Sequence, residues 1–191
     1  MDSNFVVVKQ LIPQEFCHYF THILLRNSDL KKDHSDSQIK DALSKMDHEI
    51  VFETLQERVW ETIEQVTKLK LLPTYSYARL YQNGNKLDKH TDRPACEVSV
   101  TLQLGRSHHY AYPIYIENQR IDLAEGDAII YKGMEVEHWR NECDGPENYY
   151  SGQVFMHYVD ANGKHANEVG DNTYRDNYSY KKNRSMLMEI K

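Results

Sequence analysis

The sequence predicts an α+β fold that is mainly β: a jelly-roll core, or double-stranded β-helix, buttressed by N-terminal helices. Three observations carry that expectation. Two stretches within residues 1–73 place apolar side chains at helical spacing. Eight short segments rich in Tyr, Val, Ile and Thr then follow within residues 74–160, separated by Gly, Asn, Asp or Pro. One of these, Glu97–Leu104, alternates apolar and polar residues strictly. At 191 residues the chain suits a single domain (1–191), made of a helical part (1–73), the jelly-roll core (74–160) and a polar tail (161–191).

Taken in order, Phe5–Val8 reads as a short strand. Pro13 is suited to open a helix, and Phe16, Phe20, Ile23 and Leu24 continue it at helical spacing. Asn27 to Lys40 is polar and reads as an exposed connection. A second helix is expected from about Asp47 to Leu71, with Phe52, Leu55, Val59, Ile63, Val66 and Leu69 as its apolar stripe and Pro73 as its end. The strands expected next are Thr74–Gln82, Leu87–Thr91, Glu97–Leu104, Pro113–Glu117, Arg120–Leu123, Ala128–Tyr131, Glu135–Trp139 and Tyr149–Val159. In Glu97–Leu104, Val98, Val100, Leu102 and Leu104 fall on one face, and Ser99, Thr101 and Gln103 on the other. Residues 161–191 are polar and Tyr-rich, without periodicity.

Composition bounds the function. Hydrophobic residues are 40% and charged residues 27%, the balance of a globular domain. The formal net charge of -6 gives a field that repels phosphate backbones and weighs against a nucleic-acid partner. No apolar run is long enough to span a bilayer, and the N-terminal residues lack the pattern of a signal peptide, so the expected location is cytoplasmic, with no membrane partner. Cys17, Cys96 and Cys143 form no CxxC pair and read as buried thiols.

His-x-Asp occurs twice. His34-Ser35-Asp36 lies in the polar connection, where it reads as a solvated decoy. His90-Thr91-Asp92 lies at a strand, where residues i and i+2 project to one face and can reach one ion together. The turn at Gly126-Asp127 leads into a strand, and a further short strand delivers His138. Two imidazoles and a carboxylate form the set that binds ferrous iron on one face of an octahedron and leaves the opposite positions open. His157, on the last strand, is read as a hydrogen-bonded core residue, with a distal ligand role as its rival. His108 and His109 look like loop residues, and Trp139 packs.

The stretch Tyr77-Ala78-Arg79-Leu80-Tyr81-Gln82-Asn83-Gly84-Asn85-Lys86-Leu87-Asp88-Lys89-His90-Thr91-Asp92 resembles the signature of iron(II)/2-oxoglutarate dioxygenases of the prolyl-hydroxylase-like branch. The later Gly-Asp turn, His138 and the strand ending Gln153-Val154-Phe155-Met156-His157-Tyr158-Val159 extend the likeness, which covers Thr74 to Asp160. The resemblance implies Fe(II) held by His90, Asp92 and His138, with 2-oxoglutarate and O₂ as cosubstrates and succinate and CO₂ as products. It implies hydroxylation of a peptide or small-molecule substrate, a prolyl residue or an amino acid. Asp92 favours hydroxylation over halogenation, because halogenating relatives leave that position to halide. Tyr81 matches a tyrosine that hydrogen-bonds the 2-oxoglutarate carboxylate in some relatives; packing in the core is the competing role.

One departure stands out. Most relatives carry an Arg or Lys about ten residues after the second iron histidine to hold the far carboxylate of 2-oxoglutarate, and Asn148-Tyr149-Tyr150-Ser151-Gly152 offers no cation. Arg140 is the first substitute, because a guanidinium clasps a carboxylate in a fork; Arg93 and Arg106 are alternatives. Two rival functions follow: a cupin-like metal protein that does not use 2-oxoglutarate, and a binding module with a vestigial site.

Overall fold

Two antiparallel sheets make up the fold in the computed structural model, which describes residues 3–30 and 34–171. In chain order the elements are β1 (Phe5–Val8), α1 (Gln14–Ser28), β2 (Ser44–Asp47), α2 (Ile50–Thr67), β3 (Leu71–Gln82), β4 (Leu87–His90), β5 (Val98–Arg106), β6 (Ile114–Ile116), β7 (Gln119–Ile121), β8 (Ala128–Tyr131), β9 (His138–Arg140) and β10 (Tyr150–Asp160). The larger sheet runs β1-β8-β5-β10-β3-β2 and the smaller β4-β9-β6-β7. The architecture is thus mainly β with two helices, a jelly roll. The expected tail beyond residue 171 lies outside the described residues, as do residues 31–33 of the expected polar connection. No described helix is long and apolar enough to cross a membrane.

The helices follow their apolar stripes. Cys17, Phe20, Thr21 and Leu24 form the buried face of α1, and Phe52, Leu55, Val59 and Ile63 lead that of α2. Both pack on one face of the larger sheet, in a cluster with Leu80, Val98, Val100, Leu102, Leu104 and Val154. Burying such side chains stabilises a fold by roughly 1.5–3 kcal/mol each. Phe16 departs from its expected place in the stripe and is 55% exposed.

Three expectations need correction. The second helix is shorter than the apolar stripe suggested. It begins at Ile50, and Lys68 ends it in the left-handed region (φ 60°), its N–H bonded to Glu64 O at 2.8 Å. Ser44–Asp47, separated from it by two residues, form an edge strand paired with β3 from Ser44↔Leu80 to Asp47↔Tyr77. Pro73 lies inside β3 rather than ending a helix. The ladder to β10 slips between His157 and Tyr158, opposite Pro73, and such a bulge is where a sheet tolerates a residue without an N–H.

The other face of the larger sheet turns toward the smaller one and is unusually polar. Ser99, Thr101, Gln103, Ser151, Gln153, His157 and Arg79 are all buried. Gln103 Nε2 donates to Ser151 Oγ (3.1 Å), and Gln153 Nε2 donates to Gln103 Oε1 (3.1 Å). Small apolar clusters built on Tyr81, Leu87, Tyr112 and Phe155, and on Ile114, Ile116, Ile129 and Tyr131, join the two sheets.

Candidate metal centre

β4 lies against β9 with His90 directly opposite His138, so neighbouring strands deliver the two imidazoles. Their ring centroids are 4.3 Å apart. Asp92 follows two residues after His90, just past the strand end, and its N–H is fixed to Gly133 O at 2.8 Å. Asp92 Oδ1 stands 3.6 Å from His90 Nε2 and 3.4 Å from His138 Nε2. One ligand atom from each of the three lies within 4.8 Å of the others, so the group can hold a metal ion.

The surroundings aim the donors. His90 Nδ1 is 2.8 Å from Asp88 O, and His138 Nδ1 is 3.1 Å from Val136 O. A carbonyl only accepts, so each Nδ1 carries the proton and each Nε2 keeps its lone pair for the centre. Ser99 Oγ donates to Asp92 Oδ2 at 2.7 Å, which leaves Oδ1 for the ion. Burial lowers the pKa of His90, and neighbouring His138 lowers it further, which keeps the imidazole neutral as ligation requires. Burial pushes the Asp92 carboxyl up, but its contacts with His138, His157 and Ser99 more than reverse this. Asp92 therefore sits below the usual carboxylate range.

Gly133 completes the support. A Cβ there would stand 2.5 Å from Asp92 Oδ2 and 2.5 Å from Ser99 Oγ, closer than real Cβ atoms approach. The Gly126-Asp127 turn has a different role from the triad. Gly126 (φ +86°) runs so close to Ile12 that a Cβ would stand 2.6 Å from its carbonyl oxygen. Asp127 accepts from Lys9 Nζ (2.6 Å), Gln10 N (3.1 Å) and Ala124 N (3.1 Å), which ties the chain's N-terminal segment to the start of β8.

Arg140 lies two residues after His138 on β9, hence on the same face, and is buried. Its Nη1 donates to Tyr112 O (2.5 Å) and its Nη2 to Gln153 Oε1 (2.7 Å), while Nε is buried without a hydrogen-bond partner. Tyr81 is fully buried beside it, its ring centroid 5.5 Å from the guanidinium carbon. Arg93 is elsewhere, over the Tyr75 ring at 4.6 Å. Arg106 sits at the end of β5 with its N–H on Glu125. His157 is buried, 3.0 Å from Ser99 Oγ through Nδ1 and tilted against the Tyr75 ring at 4.5 Å. Together with Asp92 and Cys96 it forms a second group of potential ligands. All three cysteines are buried and free, and Trp139 stacks on Tyr115 at 5.4 Å.

The His34-x-Asp36 pair is not solvated. His34 is buried, and Asp36 is bound to the guanidinium of Arg79, itself 1% exposed. Sequence reasoning missed Arg79, although strand alternation puts it on one face with Tyr75, Tyr77 and Tyr81. Ser99 was placed correctly on the polar face but given no task, and Gly133 carried no local signal at all.

No family model matches the chain, and no curated protein matches it in sequence. Solved structures match it in fold. A prolyl-4-hydroxylase from Pseudomonas putida has a TM-score of 0.62 at 12% identity, covering 82% of this chain and 92% of that one. The viral collagen prolyl hydroxylase of Paramecium Bursaria Chlorella virus-1, in complex with 2OG, has a TM-score of 0.60 at 8% identity, covering 82% and 96%. HygX from Streptomyces hygroscopicus, with nickel and 2-oxoglutarate bound, has a TM-score of 0.62 at 10% identity, covering 83% of each chain. A Burkholderia pseudomallei oxidoreductase of the 2OG-Fe(II) oxygenase family matches at 0.61 and 11% identity. The chain therefore has the jelly-roll fold of iron(II)/2-oxoglutarate oxygenases, prolyl hydroxylases among them.

Proposed function

We propose that this protein is an Fe(II)- and 2-oxoglutarate-dependent oxygenase that hydroxylates an unactivated C–H bond, on a prolyl residue or an amino acid. The observation that carries the reading is the convergence of His90, Asp92 and His138, with both Nδ1 atoms engaged by carbonyls and both Nε2 atoms directed at one centre. Two neutral imidazoles and one carboxylate suit ferrous iron and leave its remaining positions open. With Fe(II) and 2-oxoglutarate bound, such a site supplies O₂-driven oxidation coupled to the conversion of 2-oxoglutarate to succinate and CO₂.

The chain's own residues do the rest. Ser99 holds the second carboxylate oxygen of Asp92 away from the metal position. Tyr75 and Tyr77, stacked on each other, and Phe155, stacked on Tyr77, give an aromatic wall to the cleft that Asp92 shares. Arg140 takes the far carboxylate of 2-oxoglutarate. It lies one strand repeat beyond His138, about 7 Å, and a buried guanidinium with an unpartnered Nε favours an anion. Tyr81, against that guanidinium, lends its hydroxyl. Arg93 borders the substrate side instead, and the two helices serve the barrel as a buttress. On this reading Arg140 supplies the cation whose absence from its usual place favours the cupin-like alternative.

Anaerobic addition of Fe(II) and then 2-oxoglutarate tests the reading. A weak visible charge-transfer band that needs both is expected. It should vanish in His138→Ala together with 2-oxoglutarate-dependent succinate formation, and need far more 2-oxoglutarate in Arg140→Met. Metal uptake indifferent to 2-oxoglutarate would favour the cupin-like alternative.

A further inference from the structure

A second guanidinium is buried in the barrel. Arg79 lies 5.4 Å from the Tyr77 ring centroid and 5.5 Å from that of Tyr81, so Tyr81 touches both Arg79 and Arg140. Arg79 Nη1 donates to Tyr81 Oη at 3.3 Å, and Nη2 donates to Asp36 Oδ2. Lys45 Nζ reaches that same Asp36 oxygen at 3.2 Å. Arg79 Nε is buried without a hydrogen-bond partner. One carboxylate oxygen thus collects two cations. Asp36, Lys45, Tyr77 and Arg79 line a cleft of about 420 Å³ that also includes Asp92.

The carboxylate belongs to a tight turn. Asp36 Oδ1 accepts the N–H groups of Gln38 and Ile39, each at 2.8 Å, and this closes the turn locally. The neighbouring Gln38 side chain then extends to the metal centre. Its Nε2 stands 3.4 Å from His90 Nε2, the nitrogen left for the ion. The turn therefore offers a carboxylate to two cations at one end of the cleft and a carboxamide to the metal position at the other.

We propose that the Asp36–Gln38 turn mimics the substrate, and that Arg79 with Lys45 is the seat for the substrate's own carboxylate. This rests on the oxygenase reading and narrows it. The substrate is a small molecule with a free carboxylate, of the amino-acid class, because a prolyl residue inside a peptide chain has no carboxylate of its own. Burial explains the exchange. Arginine stays charged at any working pH, and an unpaired buried guanidinium is costly. Asp36 can leave only when another carboxylate arrives, so the seat selects its occupant by charge and by the planar fork geometry of the guanidinium.

The test needs neither iron nor 2-oxoglutarate. Free L-amino acids and their carboxamides are titrated by calorimetry into the metal-free wild type and Asp36→Asn, and deuterium uptake of residues 34–43 is followed. Acids should bind and carboxamides should not. In the wild type, acid binding should raise uptake in 34–43 as Asp36 is displaced. Asp36→Asn should bind the best acid at least about tenfold more tightly, because a pre-filled seat reduces apparent affinity by its unfilled fraction. Should Asp36→Asn fold poorly, the rise in uptake of 34–43 on acid binding to the wild type decides the question, and acid binding without that rise overturns the proposal. Equal binding of acids and carboxamides, no binding of any acid, or a folded Asp36→Asn without gain would each overturn the proposal. A failed succinate assay would leave this result standing, so the two readings fail separately.

Discussion

The two faces of the larger sheet are built from the same strands and do opposite work. Along β5, Val98, Val100, Leu102 and Leu104 enter the apolar cluster shared with α1 and α2, while Ser99, Thr101 and Gln103 line the interior on the side of the candidate metal centre. Both sets are buried. The difference teaches where stability and chemistry reside. Apolar burial is favourable without directional partners, whereas each buried polar group must find a hydrogen bond to avoid a net cost. A polar interior suits ligand binding, and the helix-covered face has to hold the fold together.

That contrast can be broken at chosen positions. The largest effect on stability is expected on the helix side. Leu102→Ala should lower unfolding free energy by about 3 kcal/mol in denaturant titrations, yet leave Fe(II) affinity of the folded protein unchanged. A parallel loss of metal affinity would mean the two faces are not separable. Next comes Gly133→Ala, whose Cβ would collide with Asp92 Oδ2 and Ser99 Oγ. Metal affinity of the folded protein should fall by about 10–100-fold, the usual effect of disturbing groups that orient a ligand, and stability should fall as well, because the same Cβ would stand 2.3 Å from Cys96 O. Normal metal binding would mean that Asp92 is aimed by something other than this close approach.

The smallest effect concerns Asp127, which belongs to neither the apolar cluster nor the metal site. Burial pushes its carboxyl up, and the contacts from Lys9, Gln10 and Ala124 outweigh this, so its folded value lies below the usual range. A carboxyl lowered in this way stabilises the fold fully above its unfolded pKa of about 3.9, and that stabilisation is lost as pH falls through the folded value. Asp127→Asn should therefore cost about 1.5 kcal/mol at neutral pH and flatten the acid limb of the stability profile, the two proteins converging at low pH. An unaltered acid limb would show that Asp127 contributes no pH-dependent stability.

What could be read from the sequence was whatever repeats at short range. Period-two alternation identified β5 and sorted its faces, and it put His90 and Asp92 on one side of the chain. The turn and short strands after Gly126 led to His138. Features that depend on distant partners were out of reach. β2 is Ser-Lys-Met-Asp, too polar to announce a strand, and exists because β3 offers it an edge. Pro73 looked like a helix stop because the bulge that accepts it belongs to β10, more than eighty residues later. Asp36 looked solvated because Arg79, its partner, lies 43 positions away. Gly133 means nothing until Asp92, Cys96 and Ser99 surround it.

The carbonyls that fix both imidazoles of the candidate metal centre come from Asp88 and Val136, each two positions upstream of the histidine it holds. Every imidazole thus travels with its own bracket inside a three-residue length of backbone. Side chains across the barrel can then be exchanged to fit a different molecule without letting either ring swivel. A laboratory seeking new specificities should accordingly redesign the walls contributed by β3 and β10 and leave those two tripeptides intact.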